Sequence, residues 1–239
     1  MKLLIDTHIH AVASGHAYST IDEIAKVAQI KGLEIIAITD HAPAMPGGAH
    51  EYYFNNMIVL PEYLHGVRVL KGVEANIIDY NGNIDLEPAT LKHLDLVIAS
   101  LHPPCIPYND KETITNTVIK AMENPYVHII GHPGDSRYPL DMEQIALHAK
   151  KNNVLLEVNN SSLKPTSFRV GGRENIIDML WYCKKHEVPI VAATDAHFSY
   201  DVGEFKEAIE LFKEVDFPES LVINANQQEF IKFITKDNT

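Results

Sequence analysis

The chain of 239 residues carries a formal net charge of −12 at pH 7, and 46% of its residues are apolar. This length suits a single α/β barrel with a substantial core. The acidic balance argues against a protein that follows a nucleic-acid backbone over an extended surface, because such a surface needs many lysines and arginines. An anionic substrate must therefore be attracted by a local feature.

Cysteine usage and hydropathy indicate a protein of a reducing compartment. Cys105 and Cys183 are too few for a disulfide framework, and Cys105, near His102, is interpreted as a structural thiol rather than a ligand. Asp6 interrupts the first apolar run, so no leader is predicted. No apolar stretch approaches the roughly 20 residues of a membrane-spanning helix. We expect a cytoplasmic protein without a membrane partner.

Short apolar runs alternate with longer segments of helical periodicity. The predicted strands, in chain order, are KLLID, EIIAITD, RVLKGVEA, LDLVIAS, VHIIGH, VLLEVNN and PIVAATD. Their continuous hydrophobicity is typical of parallel strands that are buried on both faces. Helix ends are marked by Thr20 or Asp22, by Gly32 and by Asp141, and the Asn-Gly of DYNGNID predicts a hairpin turn.

This uninterrupted β/α pattern predicts one domain over residues 1–239, with an α/β fold that closes or nearly closes as a seven-stranded barrel. A doubly wound open sheet is the alternative. Residues 42–65 are irregular and are interpreted as an insertion over the barrel mouth. Its Met45, Tyr52, Tyr53 and Phe54 either help to set specificity, pack internally or form a subunit contact.

Polar residues end every predicted strand. His8 and His10 lie one residue apart at the end of the first strand, so an extended chain points both side chains to one face. The later strands end in Asp40 and His41, Glu74, His102, His132, Asn159 and Asn160, and Asp195 and His197. A parallel barrel gathers these ends at one rim, which His16 reaches from the first loop.

Nine of these side chains are candidate metal ligands: His8, His10, His16, His41, Glu74, His102, His132, Asp195 and His197. This set exceeds the three or four protein ligands of one zinc ion, so two or three ions are implied. Glu74 and Asp195 suit a shared coordination shell, whereas Asp6 and Asp40 are expected to orient imidazoles. Imidazole and carboxylate together suit zinc, manganese, iron or cobalt.

The other six histidines lie on predicted helices, loops or strand beginnings: His50, His65, His93, His128, His148 and His186. They are interpreted as surface or packing residues. His50 is an exception, because the insertion could fold it over the barrel mouth.

Seven motifs carry a family resemblance: DTHIHAVASGHAYST, AITDHAP, GVEANI, ASLHPP, IIGHPG, LEVNNSS and ATDAHFSYDVGEF. Together they resemble the PHP (polymerase and histidinol phosphatase) superfamily, and most closely its stand-alone bacterial YcdX-type phosphatases. The resemblance covers essentially the whole chain. It implies a single PHP domain, a distorted seven-stranded (βα)7 TIM-like barrel, a trinuclear site that usually holds zinc, and phosphoesterase activity.

The same resemblance implies how the candidate ligands divide among three ions. The implied sets are His8, His10, Glu74 and Asp195; Glu74, His102 and His132; and His16, His41 and His197. Glu74 would bridge the first two ions. A metal-bound hydroxide would then attack a small phosphate monoester without a covalent phosphoenzyme.

Glu74, Asp195 and His197 are the candidate catalytic residues. For the general acid, Asp195, His197 and a metal-bound water stay open. The oligomeric state also stays open, and a homo-oligomer is compatible with the sequence.

Other polar residues near the predicted rim have two interpretations. Arg137 and Arg169 either grip phosphate or are plain surface charges. Asn159, Asn160 and Ser161 either contact hydroxyls of the substrate or form an amide-capped turn.

Alternative functions are a histidinol-phosphate phosphatase, a PHP-type nuclease, an amidohydrolase-like hydrolase and a metal-binding protein without turnover. The amidohydrolase type uses a modified lysine after its fourth strand, where this chain reads IASLH. Low positive charge disfavours a nuclease, and a complete ligand set favours catalysis over storage.

Overall fold

The structure is a computed structural model that describes residues 1–169 and 171–235. Strands β1 to β8 are Ile5–Ile9, Ile35–Ile38, Tyr63–Leu64, Val67–Asn76, Leu96–Ser100, Ile129–Ile130, Leu155–Asn159 and Ile190–Ala193. Helices α1 to α9 are Ile21–Lys31, Glu51–Asn56, Pro88–Leu91, Lys111–Met122, Met142–Asn152, Asn160–Leu163, Gly172–His186, Lys206–Glu214 and Gln227–Ile234.

The strands form a parallel barrel whose order follows the chain. Seven of the described strands pair in parallel in the order β1-β2-β4-β5-β6-β7-β8, and the short β3 pairs antiparallel with β4. Helices lie between successive parallel strands. The predicted nearly closed seven-stranded barrel is confirmed, and the doubly wound open sheet is wrong because the strand order nowhere reverses.

The barrel closes between β1 and β8 by two different means. At the upper end, where the parallel strands end, the backbone N–H of His10 donates to the carbonyl of Ala196 at 2.9 Å. The backbone N–H of Ala196 donates to the carbonyl of His8 at 3.3 Å. At the lower end, the buried amide of Asn224 donates to the carbonyls of Ile5 at 2.8 Å and Ala192 at 2.7 Å. Its Oδ1 also accepts from the N–H of Ala192 at 3.1 Å. A side chain therefore replaces strand pairing where β1 and β8 diverge.

Inward-facing residues change character along each strand. A buried apolar cluster takes alternate residues from all seven parallel strands and includes two residues of α9: Ile5, Ile35, Ala37, Leu70, Leu96, Ile98, Ile129, Leu155, Val191, Phe230 and Ile234. Further along the same face the interior becomes polar, at Glu74 four residues beyond Leu70 in β4 and at Glu157 two residues beyond Leu155 in β7. Apolar side chains thus fill the lower part of the barrel, and the inward-facing polar side chains lie at the upper end.

The first strand contains an irregularity that matters for the site. The register of β1 against β2 shifts between Asp6 and Ile9. Ile5 belongs to the interior cluster, whereas Ile9 belongs to the outer cluster under the helices. Because strict alternation would put both residues on one face, the shift is what turns His8 and His10 inward.

Local sequence signals for turns and helix ends are confirmed. Thr20 forms a capping box with Glu23, Gly32 ends α1 in the left-handed conformation, and the Asp141 side chain accepts from the N–H of Gln144. The predicted Asn-Gly turn is present, with Gly82 at φ +78°. No helix in the described ranges is long and apolar enough to cross a membrane.

The insertion covers the mouth only with its first part. There Gly15 donates to Gly47 at 2.7 Å, and a Cβ on Gly15 would lie 3.1 Å from the same oxygen. The rest of the segment leads through α2 down to β3, which pairs with the beginning of β4. The expected insertion over the barrel mouth is therefore limited to the first part of residues 42–65, because the rest returns the chain to the beginning of β4.

Candidate metal centre

Glu74 lies at the centre of the upper end of the barrel and is fully buried. Five imidazoles surround its carboxylate. Oε1 lies 2.9 Å from Nε2 of His132 and 3.3 Å from Nε2 of both His8 and His102. Oε2 lies 2.7 Å from His41 Nδ1 and 3.5 Å from His10 Nε2. The strand ends converge as predicted, with one carboxylate between two groups of histidines.

Asp195 provides a second carboxylate beside Glu74. Its Oδ1 lies 3.3 Å from His10 Nε2 and 3.7 Å from His8 Nε2. Asp195 at φ +54° and His132 at φ +31° both adopt a left-handed backbone that L-residues avoid. Each such residue costs on the order of 1–3 kcal/mol, a strain that is typical of functional sites.

His16 and His197 form the outer part of the cluster, toward solvent. His16 Nε2 lies 3.2 Å from His41 Nε2, and the rings of His16 and His197 lie 4.8 Å apart. His16 is exposed and the His197 side chain is 31% exposed, whereas His8 and His10 are fully buried. The cluster therefore leads from solvent down to Glu74.

The donor atoms form compact sets of the size that one ion needs. Three sets have all their ligand atoms within 4.8 Å of one another: His10, His41 and His197; His8, His10 and Glu74; and His41, Glu74 and His102. The second set lies within one of the ligand groups that the family resemblance implies. The assignment of nine residues to three particular ions stays a prediction.

Hydrogen bonds at the second ring nitrogen orient three of these imidazoles. His8 Nδ1 lies 2.7 Å from Glu157 Oε1, His102 Nδ1 lies 2.7 Å from Asn76 Oδ1, and His197 Nδ1 lies 3.0 Å from the Asp195 carbonyl. In each pair the protein oxygen accepts, so the ring donates from Nδ1 and keeps a lone pair on Nε2.

Glu157, inside β7, and Asn76, the last residue of β4, were missed by the sequence reasoning. Both are fully buried, and Glu157 also accepts from the backbone N–H of His132 at 2.6 Å. The available signal was a charged or amide residue within a largely apolar segment, in LLEVNN and in GVEANI. Such a residue at an inward position needs a polar partner, because a buried unpaired polar group is costly.

Buried atoms without partners provide a test of whether cations fit this site. In the part of the chain that the structure describes, His8 Nε2, His10 Nε2, His41 Nδ1 and Glu74 Oε2 are buried and make no hydrogen bond. His41 Nδ1 and Glu74 Oε2 approach to 2.7 Å, yet without hydrogen-bond geometry. Lone pairs that converge without a hydrogen between them are the donor set of divalent cations such as zinc.

The electrostatics keep Glu74 and His10 in the forms that bind cations. At His8, burial would lower the pKa, but the carboxylates of Glu157, Glu74 and Asp195 raise it well above its usual range, so a cation must displace a proton there. Burial alone would raise the pKa of Glu74, but the surrounding imidazoles of His102, His8 and His41 hold it well below its usual range. Burial, together with the neighbouring histidines, lowers the pKa of His10 well below its usual range. An ionised carboxylate thus lies beside a neutral imidazole, and the residues fit a divalent metal.

The two aspartates expected to orient imidazoles differ. Asp40 does so indirectly, since its Oδ1 accepts from the Ser14 hydroxyl at 2.6 Å, and that hydroxyl lies 3.2 Å from His10 Nδ1. For Asp6 the expectation is wrong. Its carboxylate accepts from the N–H and hydroxyl of Thr194, at 3.1 and 2.6 Å, because its side chain alternates away from the interior.

Arg169 lies at the site rather than on the surface, with 7% of it exposed. Its Nη1 donates to Asp195 Oδ2 at 3.1 Å and to the Ser162 hydroxyl at 3.1 Å. Arg137 is occupied by Asp135, to which Nη2 donates at 2.6 Å and Nε donates at 3.0 Å. The surface-charge interpretation is therefore wrong for Arg169.

Asn159, the last residue of β7, caps the turn that follows it. Asn159 Oδ1 accepts from the N–H of Ser162 at 2.9 Å, while its Nδ2 donates to Asp195 Oδ2 at 3.2 Å. Asn160 Oδ1 accepts from the N–H of Ala208 at 3.0 Å, so this oxygen is already used in packing α8. For Asn160 a contact with substrate hydroxyls is therefore not supported.

The remaining polar candidates lie outside the cluster. His50 is exposed and caps α2, where its Nδ1 accepts from the N–H of Tyr52 at 3.1 Å. His65 and His186 pair with the carboxylates of Asp22 and Glu143. Burial raises the pKa of Cys105 to about 12, which keeps its thiol protonated and agrees with a structural role.

Comparisons with known proteins identify the family of this chain. A model of the PHP domain family matches residues 6–161. A probable phosphatase of Acetivibrio thermocellus is 47% identical over 236 residues, which cover 99% of this chain and 97% of that protein. A probable phosphatase of Thermoanaerobacter sp. (strain X514) is 50% identical over 227 residues, which cover 95% of this chain and 92% of the relative.

A solved structure shares the fold. Histidinol phosphate phosphatase from Lactococcus lactis, in complex with zinc, L-histidinol and phosphate, gives a TM-score of 0.62 and covers 91% of this chain and 95% of its own. At 16% sequence identity this likeness concerns the fold alone. The family model and the two close relatives show that the chain belongs to the PHP domain family.

Proposed function

We propose that this protein is a metal-dependent phosphatase that hydrolyses small phosphate monoesters at a trinuclear centre, with a metal-bound hydroxide as the nucleophile. The observation that carries the proposal is the Glu74 carboxylate among five imidazoles, several of whose donor atoms are buried and unpaired. Relatives of nearly equal length that are named probable phosphatases support the substrate class.

Charge explains how an acidic protein would attract an anion. Three divalent ions would bring about +6, against roughly −3 from the carboxylates of Glu74, Asp195 and Glu157. The guanidinium of Arg169 adds a further positive charge beside Asp195. The mouth of the barrel would therefore be positive although the whole chain has a net charge of −12.

Bound divalent ions supply a nucleophile from water at neutral pH and neutralise the charge that develops on the phosphoryl and leaving oxygens. The protein's own contribution is to place the donor atoms. Glu74 presents its two oxygens to different groups of histidines, which suits a bridging carboxylate. The resemblance assigns the remaining positions to His8, His10, His16, His41, His102, His132, Asp195 and His197.

The protein's two candidate proton donors, Asp195 and His197, are both already engaged. His197 donates from Nδ1 to the Asp195 carbonyl at 3.0 Å, and its Nε2 is the nitrogen assigned to a metal. Asp195 Oδ2 already accepts from the Arg169 guanidinium at 3.1 Å and the Asn159 amide at 3.2 Å. Burial would raise the pKa of Asp195, but His8 and Arg169 hold it well below its usual range, so it stays ionised. We therefore assign Asp195 to holding charge at the site, and proton transfer to a water.

The amidohydrolase alternative has little structural support. β5, the fourth strand of the parallel barrel, ends at Ser100 and is followed by Leu101 and His102, with no lysine at the position where that class of site uses one. Glu74 on the preceding barrel strand occupies the centre instead. The phosphatase proposal accounts for this carboxylate and the amidohydrolase alternative does not.

Metal stoichiometry with activity tests the proposal. Freshly purified protein is assayed for bound metals by mass spectrometry and for hydrolysis of p-nitrophenyl phosphate, before and after chelation and after zinc or manganese is restored. We expect about three ions per chain, loss of turnover on chelation and its return with metal. A storage protein would bind metal without hydrolysing the ester, and turnover in metal-free protein would overturn the proposal.

A further inference from the structure

Ser14, in the loop after β1, is fully buried and contacts three groups through one hydroxyl. Its Oγ lies 2.6 Å from Asp40 Oδ1, 2.9 Å from the backbone nitrogen of His41 and 3.2 Å from His10 Nδ1. A hydroxyl has one hydrogen to donate and two lone pairs that accept. These three contacts therefore use its whole hydrogen-bonding capacity.

The partners determine the direction of each bond. The backbone N–H of His41 can only donate, and Asp40 Oδ1 already accepts from the N–H groups of Ala11 at 2.8 Å and Ser14 at 3.2 Å. The hydroxyl hydrogen of Ser14 therefore goes to Asp40, and its remaining lone pair accepts from His10 Nδ1–H. The neutral ring of His10 then keeps a lone pair on Nε2, the nitrogen that faces the two site carboxylates.

The other carboxylate oxygen of Asp40, Oδ2, accepts a hydrogen bond from a residue of the insertion, which lies outside the barrel interior. The hydroxyl of Tyr53, on α2, donates to Asp40 Oδ2 at 2.7 Å. Tyr53 is half-buried, and its ring packs edge-on against the buried Phe54 at 5.2 Å between centroids. Burial and the neighbouring carboxylate raise the pKa of Tyr53, so its hydroxyl keeps the hydrogen that it donates.

We propose that Tyr53 is a positioning residue for the metal centre, and that it acts on His10 through Asp40 and Ser14. Tyr53 orients the carboxylate, the carboxylate takes the Ser14 hydrogen, and Ser14 then keeps His10 in the tautomer whose Nε2 is free for a cation. The inference rests on the proposed metal-dependent function. It gives the insertion a role in metal binding that is separate from any contact with substrate.

Zinc affinity is the first test. The unmodified full chain and its variants Ser14→Ala and Tyr53→Phe compete with a chromophoric chelator for Zn²⁺, and the absorbance of the chelator reports the zinc affinity of each protein. Tyr52→Phe is the matched control, because Tyr52 is the preceding residue of α2 and is 72% exposed. We expect Ser14→Ala to weaken one zinc equivalent about 10–100-fold, the usual effect of losing an outer partner of a ligand. Tyr53→Phe should weaken it roughly fivefold and Tyr52→Phe should leave it unchanged.

The tautomer of His10 is the second test, and a merely structural role would not move it. Long-range ¹H–¹⁵N correlation spectra of metal-free protein near pH 8 report which nitrogen carries the hydrogen. The signals of His10 are assigned by their loss in His10→Gln. We expect the Nδ1–H form in the unmodified chain and a shift toward the Nε2–H form in Ser14→Ala.

Unchanged zinc affinity and an unchanged His10 tautomer in both variants would overturn the proposal. If Ser14→Ala does not fold, Tyr53→Phe decides, and an affinity equal to that of Tyr52→Phe overturns it. Both readouts are independent of turnover. Absence of phosphatase activity would therefore refute the proposed function alone, whereas normal hydrolysis with unaltered zinc binding in the variants would refute this inference alone.

Discussion

The two ends of the barrel interior use buried polar groups in opposite ways. At the lower end, Asn224 is fully buried, and its amide makes three hydrogen bonds to the backbone of β1 and β8. At the upper end, His8, His10 and Glu74 are equally buried, yet each has a ring nitrogen or carboxylate oxygen without a hydrogen bond to any described residue.

This difference separates polar groups that stabilise the fold from polar groups that can bind a cation. A saturated buried amide contributes to folding, because its removal would leave backbone groups unpaired. Buried donors that converge on a common point destabilise the fold until a cation satisfies them. Burial alone therefore does not identify a site, whereas burial with unpaired lone pairs does. Four changes would break or sharpen this comparison, beginning with the largest expected effect.

Replacement of Glu74 by Ala should have the largest effect. This substitution removes the carboxylate that faces five histidines, so we expect the loss of at least one bound ion and of nearly all turnover, on the order of 10³-fold. Metal analysis and p-nitrophenyl phosphate hydrolysis check this result. Full activity with three ions would show that Glu74 is not a bridging ligand.

Removal of metal should lower the thermal stability and leave the fold unchanged. Cations that bind only the folded chain stabilise it by about 4 kcal/mol when they are present at a thousand times their dissociation constant. We expect the melting temperature to fall on chelation and to recover with zinc, while the far-ultraviolet circular dichroism stays native. An unchanged melting temperature would contradict a site that depends on cations.

Replacement of Asn224 by Ala should affect stability and leave the site intact. The N–H of Ala192 and the carbonyl of Ile5 would lose buried partners, at about 1–3 kcal/mol each. Urea denaturation should show this loss, while kcat and zinc stoichiometry stay unchanged in the folded protein. Asn116→Ala, at an exposed position of α4, is the control, and equal stability of the two variants would refute the role of Asn224.

Replacement of Glu157 by Gln should have the smallest effect, and this effect should be confined to metal binding at the upper end. Glu157 holds His8 Nδ1 at 2.7 Å and the backbone N–H of His132 at 2.6 Å, so its loss misaligns the ring of His8 and the backbone that carries His132. We expect metal affinity to fall about 10–100-fold. Competition with a chelator measures this fall, with the exposed Glu174→Gln as control, and equal affinities would exclude an orienting role.

Much of the fold was predictable because its determinants are local or periodic. Continuous apolar runs identified the parallel strands, and Thr20, Gly32 and Asp141 marked helix ends through contacts within a few residues. The gathering of His8, Glu74 and Asp195 also followed from strand direction alone, since parallel strands end at a common rim.

The sequence by itself thus determined the barrel, its strand order and the end at which the candidate site lies. Tertiary structure decided which polar groups meet across the interior: Glu157 with His8, Asn76 with His102, Ser14 with Asp40, and Asp6 with Thr194 instead of an imidazole. The physical reason is that these contacts depend on the inward or outward phase of each strand. In β1 a register shift sets that phase, and no periodic pattern in the sequence records it.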